Sequence, residues 1–371
     1  MHRCYRSGRG FVLGCTTPRY STVGRRFLWP RVQTRVDWAH RLARVAVQSR
    51  PLSATLLRVS CGEMFHLIIY LGHAGIHANT TPCNVSCSAK LPNYPGFALE
   101  LLHLAKEALT GSLMDELGRC NGGRGGCELS HLAPYKHSLR LGGNDWPVVG
   151  HTMVGHKRLD NIKAAIESVV SANISGDFAE LGVWRGGASI YARLVIKCLN
   201  QNHTRRSLVF DAFETMLGLN MYKGASSYLG VTEDEVRRNF AKYEVLEGTH
   251  FYKGFFSASL PRFATQYRTE GRNIAVLRVD GNFYSSYQDA LYELYDFVPV
   301  GGIVIFDDVR SHPEVMKFWM DFTKDYSIEE ELHGIDDHSA WFRKERAFEL
   351  DRAKYRHEID GKQLLATNVS A

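Results

Sequence analysis

One stretch, Gly176-Asp-Phe-Ala-Glu-Leu-Gly-Val-Trp-Arg-Gly-Gly187, restricts the fold of this 371-residue chain more than any other. Residues 178–181 read as a short buried strand, after which Gly182, Gly186 and Gly187 let the backbone turn sharply and approach a ligand; a helix opens near Ala188. Such a unit is a nucleotide cradle, because the free amides of the helix N-terminus face the ligand. A dinucleotide fold carries G-x-G-x-x-G here, with a pyrophosphate on the helix. In this chain Glu180 stands where the first glycine would, giving E-x-G-x-x-x-G-G. A carboxylate beside the turn repels pyrophosphate and suits a ligand with an ammonium group, such as S-adenosylmethionine.

Downstream, apolar strands alternate with amphipathic helices. Strands are expected at 207–210, 250–252, 274–279 and 303–306, with later ones at 327–332 and 339–343; helices are expected at 233–243, 284–295 and 313–325. Alternation of this kind predicts an α/β fold with a doubly wound, mostly parallel sheet covered on both faces. Ligands bind at the carboxyl ends of the strands of such sheets. Asp211 follows the second strand, where it can accept the ribose hydroxyls of an adenosine ligand. Asp280 ends Ala275-Val-Leu-Arg-Val279, and Asp307-Asp308 ends Ile303-Val-Ile-Phe306. Three carboxylates on one sheet edge need a compensating cation, and oxygen-only ligands without His or Cys suit a hard ion such as Mg²⁺.

Upstream, residues 97–117 read as one amphipathic helix and 118–126 as a Gly- and Arg-rich loop. Trp146, His151, Met153 and His156 precede the cradle in a segment that reads as packed and pre-helical, with a cover over the ligand as the alternative. The net charge of +6 belongs to the N-terminus. Residues 1–50 hold eleven arginines, no lysine and one acid, Asp37, for +10, which leaves −4 for the rest and removes support for nucleic-acid binding. This extension resembles a mitochondrial presequence. The apolar run at 64–71 is short for a membrane span, although a signal anchor followed by glycosylation sequons at Asn79 and Asn84 is an alternative to a cytoplasmic location. Seven of the eight cysteines precede the cradle, so the downstream region does not rest on an internal disulfide framework, and no paired zinc-ligand spacing is present.

These residues resemble the macrocin O-methyltransferase family of metal-dependent sugar O-methyltransferases. The matching pieces are Asp145-Trp-Pro, His151-Thr-Met-Val-Gly-His-Lys-Arg-Leu-Asp-Asn161, the 176–187 stretch, Asp211-Ala-Phe-Glu214, Lys253-Gly-Phe-Phe with Leu260-Pro261, Arg278-Val-Asp-Gly-Asn-Phe-Tyr284 and Gly301-Gly-Ile-Val-Ile-Phe-Asp-Asp308. The resemblance covers residues 97–344, leaving an extension at 1–96, expected to be poorly ordered, and a charged tail at 345–371. It implies a class I methyltransferase fold, with a Rossmann-like seven-stranded sheet and an N-terminal helical extension. It further implies S-adenosylmethionine as donor, Mg²⁺ as activating ion, and a sugar or other small hydroxylated acceptor. By motif match Asp280, Asp307 and Asp308 become metal ligands; as the ligand nearest the reacting oxygen, Asp280 is further expected to take its proton as catalytic base, ahead of His156, His312 and His338. Met153, Glu180, Gly182, Trp184, Arg185, Gly186, Asp211 and Phe213 become cofactor contacts. Asn282 stands where the family often has an acid, and His156 where an apolar residue is common. The rival readings are a nicotinamide-dependent oxidoreductase and a non-catalytic binding module. A homo-oligomer is a further expectation, carried by the N-terminal helix.

Overall fold

The computed structural model describes residues 94–120, 131–214 and 226–355. The readings of the basic extension, of the apolar run at 64–71 and of the tail beyond 355 lie outside the described residues. Among the described residues no helix is long and apolar enough to cross a membrane.

Seven strands form the main sheet: β4 (Asp177–Leu181), β5 (Ser207–Asp211), β6 (Thr249–Lys253), β7 (Ile274–Val279), β8 (Ile303–Phe306), β9 (His333–Gly334) and β10 (Ala340–Arg343). Their order is β6-β5-β4-β7-β8-β10-β9. β4 through β8 pair in parallel, and β10 runs antiparallel to β8 and β9. The order reverses between β4 and β7, whose crossovers leave in opposite directions and open a crevice at the carboxyl ends. This is the doubly wound, mostly parallel sheet that the alternation predicts.

The strands alternate between two apolar layers because successive side chains point to opposite faces. Ala179, Leu181, Leu208, Phe210, Leu277 and Val279 pack with α7 (Phe256–Thr269), α8 (Tyr284–Leu294) and α9 (Pro313–Tyr326). Phe178, Val209, Val276, Ile303 and Ile305 pack with α1 (Ala98–Leu109), α3 (Gly155–Ser171), α4 (Gly187–Cys198) and α6 (Glu233–Lys242). A second, small sheet joins β1 (Gly118–Cys120) to β2 (Leu132–Ala133) and β3 (Asp145–Pro147), with the short helices α2 (His137–Leu141) and α5 (Ser226–Leu229) in the same N-terminal and post-β5 segments.

Several elements differ from the sequence reading. The first helix ends at Leu109 rather than 117: the Thr110 hydroxyl bonds the carbonyls of Lys106 and Glu107, and Gly111 takes the left-handed φ of +73° that closes helices. The start of the expected loop at 118–126 is strand β1, and Trp146 lies buried in β3. α7 was not expected, because Pro261 falls inside it; its buried face of Leu260, Phe263, Ala264 and Tyr267 nevertheless has helical spacing. No strand forms at 327–332. There Glu330 accepts from the backbone amides of Glu329 and Glu345, and pairing starts only at His333.

Leu277, fully buried at the centre of β7, tests the shared core. Leu277→Ala is expected to lower unfolding free energy in urea by about 2–5 kcal/mol, through lost burial and an unfilled cavity.

Candidate active site

The carboxyl ends of β4, β5, β7 and β8 bring the predicted residues to one crevice. Leu181 ends β4, and its carbonyl accepts from the Asp280 amide at 2.8 Å, so the glycine turn and the end of β7 are in backbone contact. Gly182 has φ +86°, and a Cβ built there would lie 2.0 Å from the Asp280 carbonyl oxygen, so a side chain is excluded. At Gly186 a Cβ would meet Phe240 and Val236 of α6, and at Gly187 the His151 carbonyl. The glycines thus serve close packing of the turn against the protein itself, as well as approach to a ligand. Trp184 (φ 48°), Phe213 (φ 52°) and Asn282 (φ 60°) adopt left-handed backbone just after β4, β5 and β7. Asn is among the side chains that tolerate that region, whereas the bulky rings at 184 and 213 are not.

Asp211 is held by the turn. Its Oδ2 accepts from the amides of Val183 (2.8 Å) and Trp184 (3.2 Å), and Oδ1 accepts from Phe213 N–H (3.0 Å), leaving Oδ1 with acceptor capacity. Burial pushes its carboxyl up, against the amides that favour the charge. On the other side of the turn, Arg185 lies 4.2 Å over the Trp184 ring and donates to the carbonyls of Val148 and Gly150. The Trp184 indole N–H donates to the Tyr228 carbonyl at 2.9 Å, and the Tyr228 ring stacks on Trp146 at 5.6 Å, with Met153 against Trp146. The turn is thereby tied to the small sheet.

Not all predicted contacts face the crevice. Phe213 is 1% exposed and packs against Phe251 in the core. Glu180 is also 1% exposed: Oε1 receives Arg278 at 2.5 Å and Oε2 receives the Ser189 hydroxyl. Both side chains sit behind the turn rather than on its open side. His156, of α3, is buried with Nε2 on the hydroxyls of Thr110 and Ser112 and Nδ1 3.4 Å from Glu107, so its polarity is satisfied by the end of α1.

Asp280, Asp307 and Asp308 each offer one oxygen within a set whose members all lie within 4.8 Å of one another. Oδ2 of the buried Asp308 has no hydrogen-bond partner, whereas Oδ1 lies 3.5 Å from His312 Nδ1. Burial, together with Asp307, pushes the Asp280 carboxyl up to about 7, against the pull of Arg278. Burial and the charges of Asp280 and Asp307 hold Asp308 well above the usual carboxylate range. Asp307 differs: burial opposes its charge, but the guanidiniums of Arg158 and Arg278 hold it below that range. An oxygen-only cluster with one orphaned acceptor fits a hard divalent cation. His338 is engaged by Asn144 at 3.0 Å. The residue that sequence reasoning missed is Arg278, although a lone arginine within the apolar run of β7 was its visible sign.

A reversed parallel sheet with a glycine turn and acidic strand ends defines a class I methyltransferase. The macrocin-O-methyltransferase (TylF) family matches residues 124–344, and the chain belongs to that family. It is similar to demethyldecarbamoylnovobiocin O-methyltransferase of Streptomyces niveus, with 37% identity over 223 residues, 57% of this chain and 82% of that protein. It is similar also to 8-demethyl-8-(2,3-dimethoxy-alpha-L-rhamnosyl)-tetracenomycin-C 4'-O-methyltransferase of Streptomyces olivaceus, with 40% identity over 183 residues, 46% of this chain and 66% of that protein. The solved structure of the O-methyltransferase NovP superposes with a TM-score of 0.57 at 33% identity, over 67% of this chain and all of that one. The chain is an S-adenosylmethionine-dependent O-methyltransferase, and the oxidoreductase and non-catalytic readings fall away.

The raised carboxyls have a measurable consequence. In the metal-free folded protein Asp280 keeps its proton up to about pH 7, whereas in the unfolded chain it loses it near 3.8. The folded state therefore binds more protons across that window, and stability falls as pH rises through it. Urea unfolding in chelator from pH 4.5 to 7.5 should show that decline, and Asp280→Asn should make it shallower, with Asp308 supplying what remains.

Proposed function

We propose that this crevice binds S-adenosylmethionine against the glycine turn, and Mg²⁺ on Asp280, Asp307 and Asp308, to methylate a hydroxyl of a sugar or glycosylated small molecule. The observation that carries the reading is the carboxylate cluster with its orphaned Asp308 Oδ2, in backbone contact with Gly182 through Asp280. The rhamnosyl group in the name of the tetracenomycin relative supports a sugar acceptor. The donor supplies the electrophilic methyl group, and a divalent ion supplies a Lewis acid that lowers the pKa of a nearby hydroxyl.

The chain's own residues do the remaining work. Gly182 and Gly186 let the turn pack closely on Asp280 and on α6, and Asp211 Oδ1 offers an acceptor for ribose hydroxyls. Met153, Trp184 and Arg185 flank the turn on the side of the small sheet, and Glu180 and Phe213 support it from behind. Asp280, the most exposed carboxylate of the three, is the group that takes the acceptor's proton. His312 and His338 stand beside the cluster, and burial lowers both imidazoles' affinity for protons.

α1 supports association of two copies of this chain. Its domain covers Ala98, Leu102, Ala105 and Leu109, while Phe97, Leu101 and Leu104, at helical spacing along the adjoining arc, are exposed. Leu113, Met114 and Leu117, just beyond the helix, are exposed as well. Apolar patches of several hundred Å² mark interfaces, and a stable dimer buries about 800 Å² per partner.

Donor consumption is expected with glycosylated acceptors in Mg²⁺ and to stop in chelator. Asp280→Ala should abolish turnover while calorimetry still records binding of the demethylated donor; a fully active variant overturns the metal and base roles together. Sedimentation should show a dimer that Leu101→Glu with Leu104→Glu converts to a monomer.

A further inference from the structure

A chain of buried charges runs beneath the crevice, and the proposed reaction leaves most of it unused. Register pairs Glu180 of β4 with Arg278 of β7, and Arg278 with Ile305 of β8, so Glu180, Arg278 and Asp307 share the face covered by α3 and α4. Arg278 is 1% exposed. Its Nη1 donates to Glu180 Oε1 (2.5 Å) and to Asp280 Oδ2 (3.1 Å), and its Nη2 donates to Asp307 Oδ1. Arg158, from α3, donates Nη1 to Asp307 Oδ2 (2.6 Å) and Nε to Asp336 Oδ2 (2.8 Å). Ser189 of α4 completes Glu180, and Ser339 lies 3.3 Å from Asp307 Oδ1.

We infer that Arg278 and Arg158 are resident cations that hold the acidic cluster assembled before any divalent ion arrives, with Glu180 as the anchor that aims Arg278. Asp307 is buried beside two further carboxyl groups and has no water to screen its charge, so it needs a cation at hand. Each guanidinium reaches Asp307 from a different element, one from the sheet and one from the helical layer, and together they fix both of its oxygens. A planar fork can bridge separate carboxylates in this way, which a single ammonium cannot match. The same fork joins the strand that leads into the glycine turn to the strand that ends in Asp280. Arg278 is thus a positioning residue for both halves of the crevice, and Glu180 acts through it rather than on a ligand. The inference rests on the metal reading only in that an added ion can take over part of the same charge.

A charge cycle in chelator tests it without any metal. Arg278→Gln should lower Tm by on the order of 10 °C, because it leaves buried Glu180 without its cation and Asp307 with Arg158 alone. Adding Asp307→Asn to that variant should restore roughly half the loss, since the charge that needed Arg278 is gone. Arg278→Lys should fall between wild type and Arg278→Gln. A double variant no more stable than Arg278→Gln, or an Arg278→Gln protein as stable as wild type, overturns the inference. If Arg278→Gln does not fold, the same cycle is run with Arg158→Gln and Asp307→Asn, with the same two readings. A separate arm adds Mg²⁺, which should raise the Tm of Arg278→Gln at least about twofold more than that of wild type. An equal rise in both, in protein whose Mn²⁺ titration by calorimetry shows a site, counts against the inference. A silent Mn²⁺ titration of wild type instead removes the metal reading, and the chelator cycle still decides the role of the arginines.

Discussion

The rest of the active end depends on how closely β4 and β7 meet where their crossovers part. The Leu181 carbonyl takes the Asp280 amide, and the next residue can have no side chain because the Asp280 carbonyl occupies that space. One contact therefore sets two things at once: where the glycine turn begins and where the first carboxylate of the acidic cluster stands. Asp307 and Asp308 follow because β8 pairs in register with β7, carrying its own end to the same level. A protein that loosened this contact would move the glycine turn and the acidic cluster relative to each other.

Much of this was legible in the sequence because parallel sheets write themselves plainly. Apolar runs at 178–181, 207–210, 274–279 and 303–306 each end in a glycine or an acid, and each proved to be a strand with that residue at the crevice. What was not legible depended on partners far away in the chain. Nothing local shows that Glu180 turns inward, since its direction is fixed by Arg278, 98 residues on, and by Ser189 from the following helix. Phe213 likewise reads as a neighbour of the ribose-binding position, yet its ring fills the core against Phe251. α7 was hidden by Pro261 and the small sheet by strands of two and three residues, too short for any periodicity to register.

Two departures from the family pattern acquire local explanations. His156 is absorbed by Thr110, Ser112 and Glu107, so a polar residue on α3 serves to dock the end of α1. Asn282 occupies a left-handed backbone conformation that a short polar side chain tolerates. Neither requires a change of chemistry at the carboxylates, which fits a family that varies its acceptors around a common centre.

The left-handed residues after β4, β5 and β7 carry one more consequence. Trp184, Phe213 and Asn282 each hold a conformation that costs their kind of side chain about 1–3 kcal/mol, and all three lie on the same rim. Left-handed residues stand at the other end of the sheet too, but there Asn173, Asn200 and Glu244 close the helices α3, α4 and α6, whereas those on the rim shape the turns beside the acidic cluster. Attempts to make this protein more heat-resistant by easing its backbone are therefore better aimed at the helix ends than at the rim, where a gain in rest is a loss of shape.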